Sequence, residues 1–362
     1  MRGVSCSCAD ACLNRAKAKA ARDVPYYYMV VAQTPAVSRV TNGFWELGTA
    51  MVMRHIVLGL CASGLFAAVS SGFGQSPRPV PTSIVQRIPV LEYHVVRAKA
   101  SGEFIISRDQ FRSDLKLLYD RGYRPITVAQ LLDKDFRDVP VGMSPVVFTF
   151  DDASPEQFSY VQQPNGELVI DSASVIGIWL EFQKAHQDWK SRATFCVLSG
   201  ANAGHAFFGN GPAWNGQHAA WRFKKLRWLA DNGFELCNHT LWHAQLSKFS
   251  DAVVQEQIAR GQLAIDSAVP GYTVRTFALP QGLWPKNREL AWRGTWTDPK
   301  TGKTITYDNE TVLEVLGGPV PSPFDSTFEH RRLTRFIVYS GNLKPLLDRM
   351  EAAGTRFRRS GT

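Results

Sequence analysis

Short runs rich in β-branched and aromatic residues alternate along this chain with longer segments of helical spacing, and that alternation constrains the fold more than any other feature. Strand-like runs fall at 88–96, 145–150, 193–199, 235–240, 274–280, 311–317 and 334–340. Helical patterns lie between them at 107–123, 173–189, 221–234 and 251–269, with a closing one at 343–354. In the first, Phe111, Leu115, Leu117 and Leu118 share helical spacing and Gly122 ends the run. Strands joined through helices run parallel, so a mostly parallel sheet is predicted. About seven such units predict an α/β fold, a distorted (β/α) barrel, with functional groups at the C-terminal strand ends. No internal repeat is visible, and nothing after residue 90 reads as a second domain.

One strand ends in an unusual way. The run Val146 to Phe150 stops on two adjacent acids, Asp151 and Asp152, followed by Ala-Ser-Pro. Neighbouring side chains on a strand face opposite ways, so two adjacent acids share a site only where the strand ends and the backbone turns. Ser154 and Pro155 supply turn chemistry. An acid at this place can instead cap a following helix, and the residues alone leave both readings open.

A second strand end carries "NHTLWH", with His239 and His243 four residues apart. On a helical turn that spacing puts both imidazoles on one face, suited to one divalent ion. Two imidazoles and one carboxylate with open positions describe a catalytic metal, Zn by ligand type, with Co, Mn or Ni tolerated. One acid of the pair then binds the ion while its neighbour moves protons. Adjacent acids do not suit glycoside hydrolysis, whose two carboxyls flank the scissile bond from opposite sides.

At these residues the sequence resembles the polysaccharide deacetylase family, carbohydrate esterase family 4, from about residue 88 to 341. "PVLEYH" resembles its first strand, "FRSDLKLLYDRGYRPITVAQLL" its first helix and following turn, and "VVFTFDD" its acid motif. "RATFCV" resembles the next strand, "GFELCNHTLWHAQLS" its His motif, and "TFALPQGLWP" a variant of its third motif. The resemblance implies a barrel of polysaccharide-deacetylase type. It implies Asp152, His239 and His243 as metal ligands and Asp151 as the base acting on a metal-bound water. The backbone amide of Gln281, after Pro280, is implied to stabilise the oxyanion. The implied reaction removes acetyl groups from N-acetylated sugars of a cell-wall or extracellular polysaccharide.

Two departures from the family pattern matter. An Arg that orients the base in many members is replaced by Ala278, leaving that role vacant or to another residue such as Arg335. The C-terminal Leu-x-His that supplies the general acid is missing. His94, at the end of the first strand, is the favoured substitute, because strand ends converge on the site; His330 is the other candidate, and a structural His94 is the alternative. These departures leave room for an O-acetyl esterase acting on acetylated xylan, or for a sugar-binding pseudoenzyme.

The remaining features concern the setting. The formal charge is +9, with no long basic run, which argues against nucleic acid as a partner. Residues 53–75 read as a basic start, an apolar run from Ile56 to Val69 and a small-residue zone, hence a signal peptide or signal anchor. Residues 1–52 then read as a misassigned upstream extension, 76–87 as a linker, and 88–358 as one catalytic domain. The expected location is exported, periplasmic or extracellular, with membrane contact only through an uncleaved leader. Within the domain only Cys196 and Cys237 remain, read as buried free thiols in preference to a disulfide. Phe207, Phe208 and Trp214, on the loop 200–221, are candidates to stack on sugar rings or to pack as a lid. His186, His205 and His218 are expected at the surface.

Overall fold

The computed structural model describes residues 84–361 except 103, 202–204 and 212–214. The expected extension, the leader and most of the linker lie outside the described residues, as does Trp214. Among the described residues no helix is long and apolar enough to cross a membrane.

From residue 90 to 278 the strands and helices alternate as the pattern predicts. In chain order they are β1 (Val90–Tyr93), α1 (Arg108–Asp120), β2 (Tyr123–Ile126), α2 (Val128–Leu132), β3 (Ser144–Phe150), α3 (Val175–Ala185) and β4 (Thr194–Val197). There follow α4 (Arg222–Asp231), β5 (Glu235–Asn238), α5 (Asp251–Ala268), β6 (Thr276–Ala278), β7 (Thr311–Leu313), β8 (Arg332–Leu333), β9 (Phe336–Ile337) and α6 (Leu343–Ala352). Among the described residues these strands form one nine-stranded sheet, every pairing within it parallel. β8 pairs with β7, two residues later β9 pairs with β1, and the segment 332–337 thereby joins the two edges into a distorted barrel. The count exceeds seven because this last strand is split and because β2 was not foreseen. β2 contains Pro125, which lacks an N–H, and it pairs only with β3 as an edge strand where proline is tolerated. Two antiparallel hairpins, Tyr160–Gln162 with Leu168–Ile170 and Arg293–Thr297 with Thr304–Asp308, were also not foreseen.

Strand alternation divides the buried residues into two sets. Leu91, Tyr93, Phe148, Phe150, Phe195 and Leu236 join helix residues such as Leu115, Leu118, Trp179 and Leu226 in one core cluster. The alternate residues Val90, Val147, Cys196, Cys237, Ala278, Leu313 and Leu333 form another. All seven residues of β3 are buried, as expected of a strand covered on both faces. Each such large apolar side chain contributes roughly 1.5–3 kcal/mol when fully buried. The positions that continue the second set toward the C-terminal strand ends are polar: Glu92, Thr149, Asp151, His239 and Arg335, all buried. Charge therefore begins where the apolar filling stops. Cys196 and Cys237 face each other in register and are free.

Candidate active site

Asp151 and Asp152 sit where β3 gives way to a turn. Asp152 and Ala153 both have positive φ, 73° and 49°, so the backbone leaves the extended path at once and both carboxylates reach one site. Left-handed backbone is costly for residues other than glycine and collects at functional turns. Thr240, His243 and Gln281 are left-handed too, the first two in the His loop and the third just after Pro280.

The His loop departs from expectation in one respect. Residues 239–243 are not a helical turn, because Thr240 (φ 73°) and His243 (φ 65°) are left-handed. Side-chain hydrogen bonds define the loop instead. The Asn238 Oδ1 accepts from the Thr240 amide at 2.9 Å, and the Thr240 hydroxyl accepts from the His243 amide at 3.0 Å. Asn238 also donates to the Ile258 carbonyl of α5, and Gly261 lets that helix approach, since a Cβ there would collide with the Asn238 side chain. The loop still brings the two imidazoles together, with ring centroids 4.9 Å apart.

His239 Nε2 and His243 Nε2 each lie 3.4 Å from Asp152 Oδ1. That oxygen is buried and makes no hydrogen bond. Two ligands each about 2.1 Å from a tetrahedral ion are themselves about 3.4 Å apart, so this donor set fits a shared metal. His239 Nδ1 donates to the Ala278 carbonyl at 2.9 Å, which fixes the tautomer and leaves Nε2 as the free lone pair. Burial lowers the pKa of His243 to about 4 against the pull of Asp152, keeping that imidazole neutral. Burial would raise Asp152, yet His243 and His239 hold it well below the usual carboxylate range.

Asp151 has a different partner. Arg335 donates from Nη1 to Oδ1 at 2.7 Å and from Nη2 to Oδ2 at 2.8 Å, and it is fully buried. Its Nε donates to the Glu314 carbonyl at 2.9 Å, where β7 and β8 part, and Nη1 also reaches Thr149 Oγ1. Burial alone would raise the Asp151 pKa; Arg335 and then His239 lower it to about 2. Thus a guanidinium from the seam of the barrel, and none from the Ala278 position, holds both oxygens of Asp151.

The other candidates separate clearly. His94 directly follows β1 with Nε2 3.4 Å from Glu92 Oε1, so it stands with the Asp151 group. His330 is exposed and lines a different cavity with Trp284 and Trp292. Gln281 follows β6 with φ 56°, and its side-chain oxygen accepts from Gln245 at 2.7 Å. His205 is not a plain surface residue: it is half-buried and donates from Nδ1 to the Asp152 carbonyl at 3.0 Å. His218 is exposed and His186 half-buried against Phe182. Phe207 and Phe208 are core residues with no exposed face for a sugar. A cavity of about 370 Å³ adjoins Arg335, lined by Phe104, Leu316, Phe336 and Tyr339. The sequence reading missed Glu92; its one signal was an acid inside an apolar strand, two positions from His94 and hence on the same face.

One part of the chain matches a known family model. Residues 177–293 match the family model described as polysaccharide deacetylase, which agrees with the family resemblance carried by the motifs in that stretch. Similar solved structures include a Streptococcus pyogenes deacetylase, PplD, in complex with acetate: 16% identical, TM-score 0.49, covering 73% of this chain and 98% of that one. IcaB from Ammonifex degensii is 18% identical with a TM-score of 0.48, covering 75% and 97%. A de-N-acetylase from Aggregatibacter actinomycetemcomitans is 14% identical with a TM-score of 0.48, covering 73% and 99%. No curated protein sequence matches the chain at a significant level.

Proposed function

We propose that this protein removes acetyl groups from the N-acetylated sugars of a cell-wall or extracellular polysaccharide, with one divalent metal, Zn by ligand type, held by Asp152, His239 and His243. The observation that carries the reading is the orphaned Asp152 Oδ1 facing both imidazoles, beside an acid clamped by its own guanidinium. When bound, such an ion polarises the acetyl carbonyl and acidifies a water.

The chain's own residues do the rest. Asp151, kept ionised by Arg335, takes a proton from the attacking water; the bidentate clamp fixes which way its oxygens face. His94 supplies a proton to the departing amine, which leaves poorly without one. The Gln281 backbone amide stabilises the charge that develops on the acetyl oxygen. The cavity beside Arg335 holds a neighbouring sugar ring, with Tyr339 and Leu316 exposed along it.

Residues 88–358 form the catalytic unit in this reading, and the leader at 53–75 supports an exported, periplasmic or extracellular location. Acetate release from N-acetylglucosamine oligomers, peptidoglycan and acetylated xylan, with and without added metal, tests the reading. Release from xylan alone would make the protein an O-acetyl esterase, and metal binding without release would make it a binding protein.

A further inference from the structure

Glu92 is the least explained group in the molecule. It lies on β1, fully buried, and neither carboxylate oxygen makes a hydrogen bond. A carboxylate so placed is costly, so it is retained only against specific neighbours. Its neighbours are His94, whose Nε2 is 3.4 Å from Oε1, and Arg335, whose Nη2 is 3.4 Å from the same oxygen. Glu92, His94 and Asp151 offer ligand atoms within 4.8 Å of one another, and the guanidinium of Arg335 already supplies the positive charge among them.

The geometry gives His94 two different sides. Its Nε2 edge faces the buried carboxyl, and its ring edge meets Phe104 with centroids 4.8 Å apart. We propose that Glu92 is a positioning and proton-relay residue acting through His94: as the imidazole gives its Nδ1 proton to the departing amine, Nε2 takes the proton of the Glu92 carboxyl. The balance is complete, with one N–H broken at Nδ1, one N–H formed on the amine, one O–H broken at Glu92 and one N–H formed at Nε2. The inference rests on the deacetylase reading and specifies how its acid is supplied without a C-terminal His motif.

The charges around the pair agree with a shared proton. Burial raises Glu92 well above the usual range; Arg335 opposes this, while Asp151 and Asp152 add to it. Burial lowers His94, against the pull of Asp152 and Asp151, and Arg335 and His239 lower it further. Both directions favour the uncharged forms, a carboxyl on Glu92 and a neutral imidazole on His94, which is the starting state the relay needs.

The test compares an N-acetylglucosamine oligomer, whose amine must be protonated to leave, with an activated aryl acetate, whose leaving group needs no proton. Glu92→Gln keeps the shape and removes a buried acid. It is expected to lower kcat on the oligomer at least tenfold, within the range general acids contribute, and to change the aryl acetate rate by no more than about threefold. His94→Asn should reproduce that selectivity, and Glu92→Gln added to His94→Asn should cost nothing more, because the group it acts through is gone. Equal losses on both substrates would make Glu92 structural and overturn the relay, as would full additivity of the two changes. A wild-type enzyme inert on both substrates would instead overturn the deacetylase reading itself, and the relay with it.

Discussion

Arg335 grips both oxygens of Asp151 at 2.7 and 2.8 Å from the point where the last strand crosses from one edge of the barrel to the other. Closing the barrel and orienting the candidate base are therefore one structural event. Arg335→Met leaves Asp151 buried without its counter-charge, a change that costs about 3–5 kcal/mol. Arg335→Lys keeps the charge but loses the planar two-point grip. Chemical denaturation should show the first strongly destabilised, and kinetics should show the second folded with kcat reduced about a hundredfold.

The same pair makes stability depend on acid. Asp151 titrates at about 2 in the fold, below its ordinary 3.8, so its contribution is fully present above about pH 4 and is lost as pH falls toward 2. The depression corresponds to on the order of 2 kcal/mol. Urea midpoints between pH 6 and pH 2.5 should fall more steeply for wild type than for Asp151→Asn, which lacks this titration; equal slopes would contradict the assignment.

Metal should stabilise the fold through three side chains. An ion bound only by the native state stabilises it by RT ln(1 + c/Kd), with c the free ion concentration, so the melting temperature rises with the logarithm of that concentration. Zinc is expected to raise the wild-type melting temperature by several degrees and to leave His243→Ala and Asp152→Ala unmoved. A full shift in either variant would place the ion elsewhere.

Tyr339 and Leu316 stand exposed along the cavity beside Arg335. Aromatic contact of this kind is worth about 0.5–1.5 kcal/mol, so Tyr339→Ala should raise KM for a sugar oligomer roughly 2- to 13-fold. Its rate on a small aryl acetate, which does not reach the cavity, should stay near that of wild type.

Much of this arrangement was legible in the sequence, for reasons that are physical. The parallel barrel follows from strand runs too apolar to face water alternating with amphipathic helices, and β3 shows this most plainly. Asp151, Asp152, His239 and His243 were visible because an acid pair and a histidine pair stand at the ends of two such runs, a combination that capping alone does not call for. Arg335 was suggested only by the vacancy at Ala278; nothing in "TRFIVYS" says that its strand breaks between Leu333 and Phe336. β2 was hidden by Pro125, which demotes a strand unless an edge is known to be available. The His loop was misread as helical because a four-residue spacing does not reveal the left-handed Thr240 and His243. Glu92 escaped because an acid in an apolar run shows its role only through neighbours distant in sequence.

The most direct test is acetate release from N-acetylglucosamine oligomers by the chain from Gln75 onward, in zinc and after chelation, beside Asp151→Asn. The account predicts release that chelation abolishes, zinc restores, and the variant lacks while still binding the ion. Undiminished release by Asp151→Asn, or by chelated wild type, would contradict it.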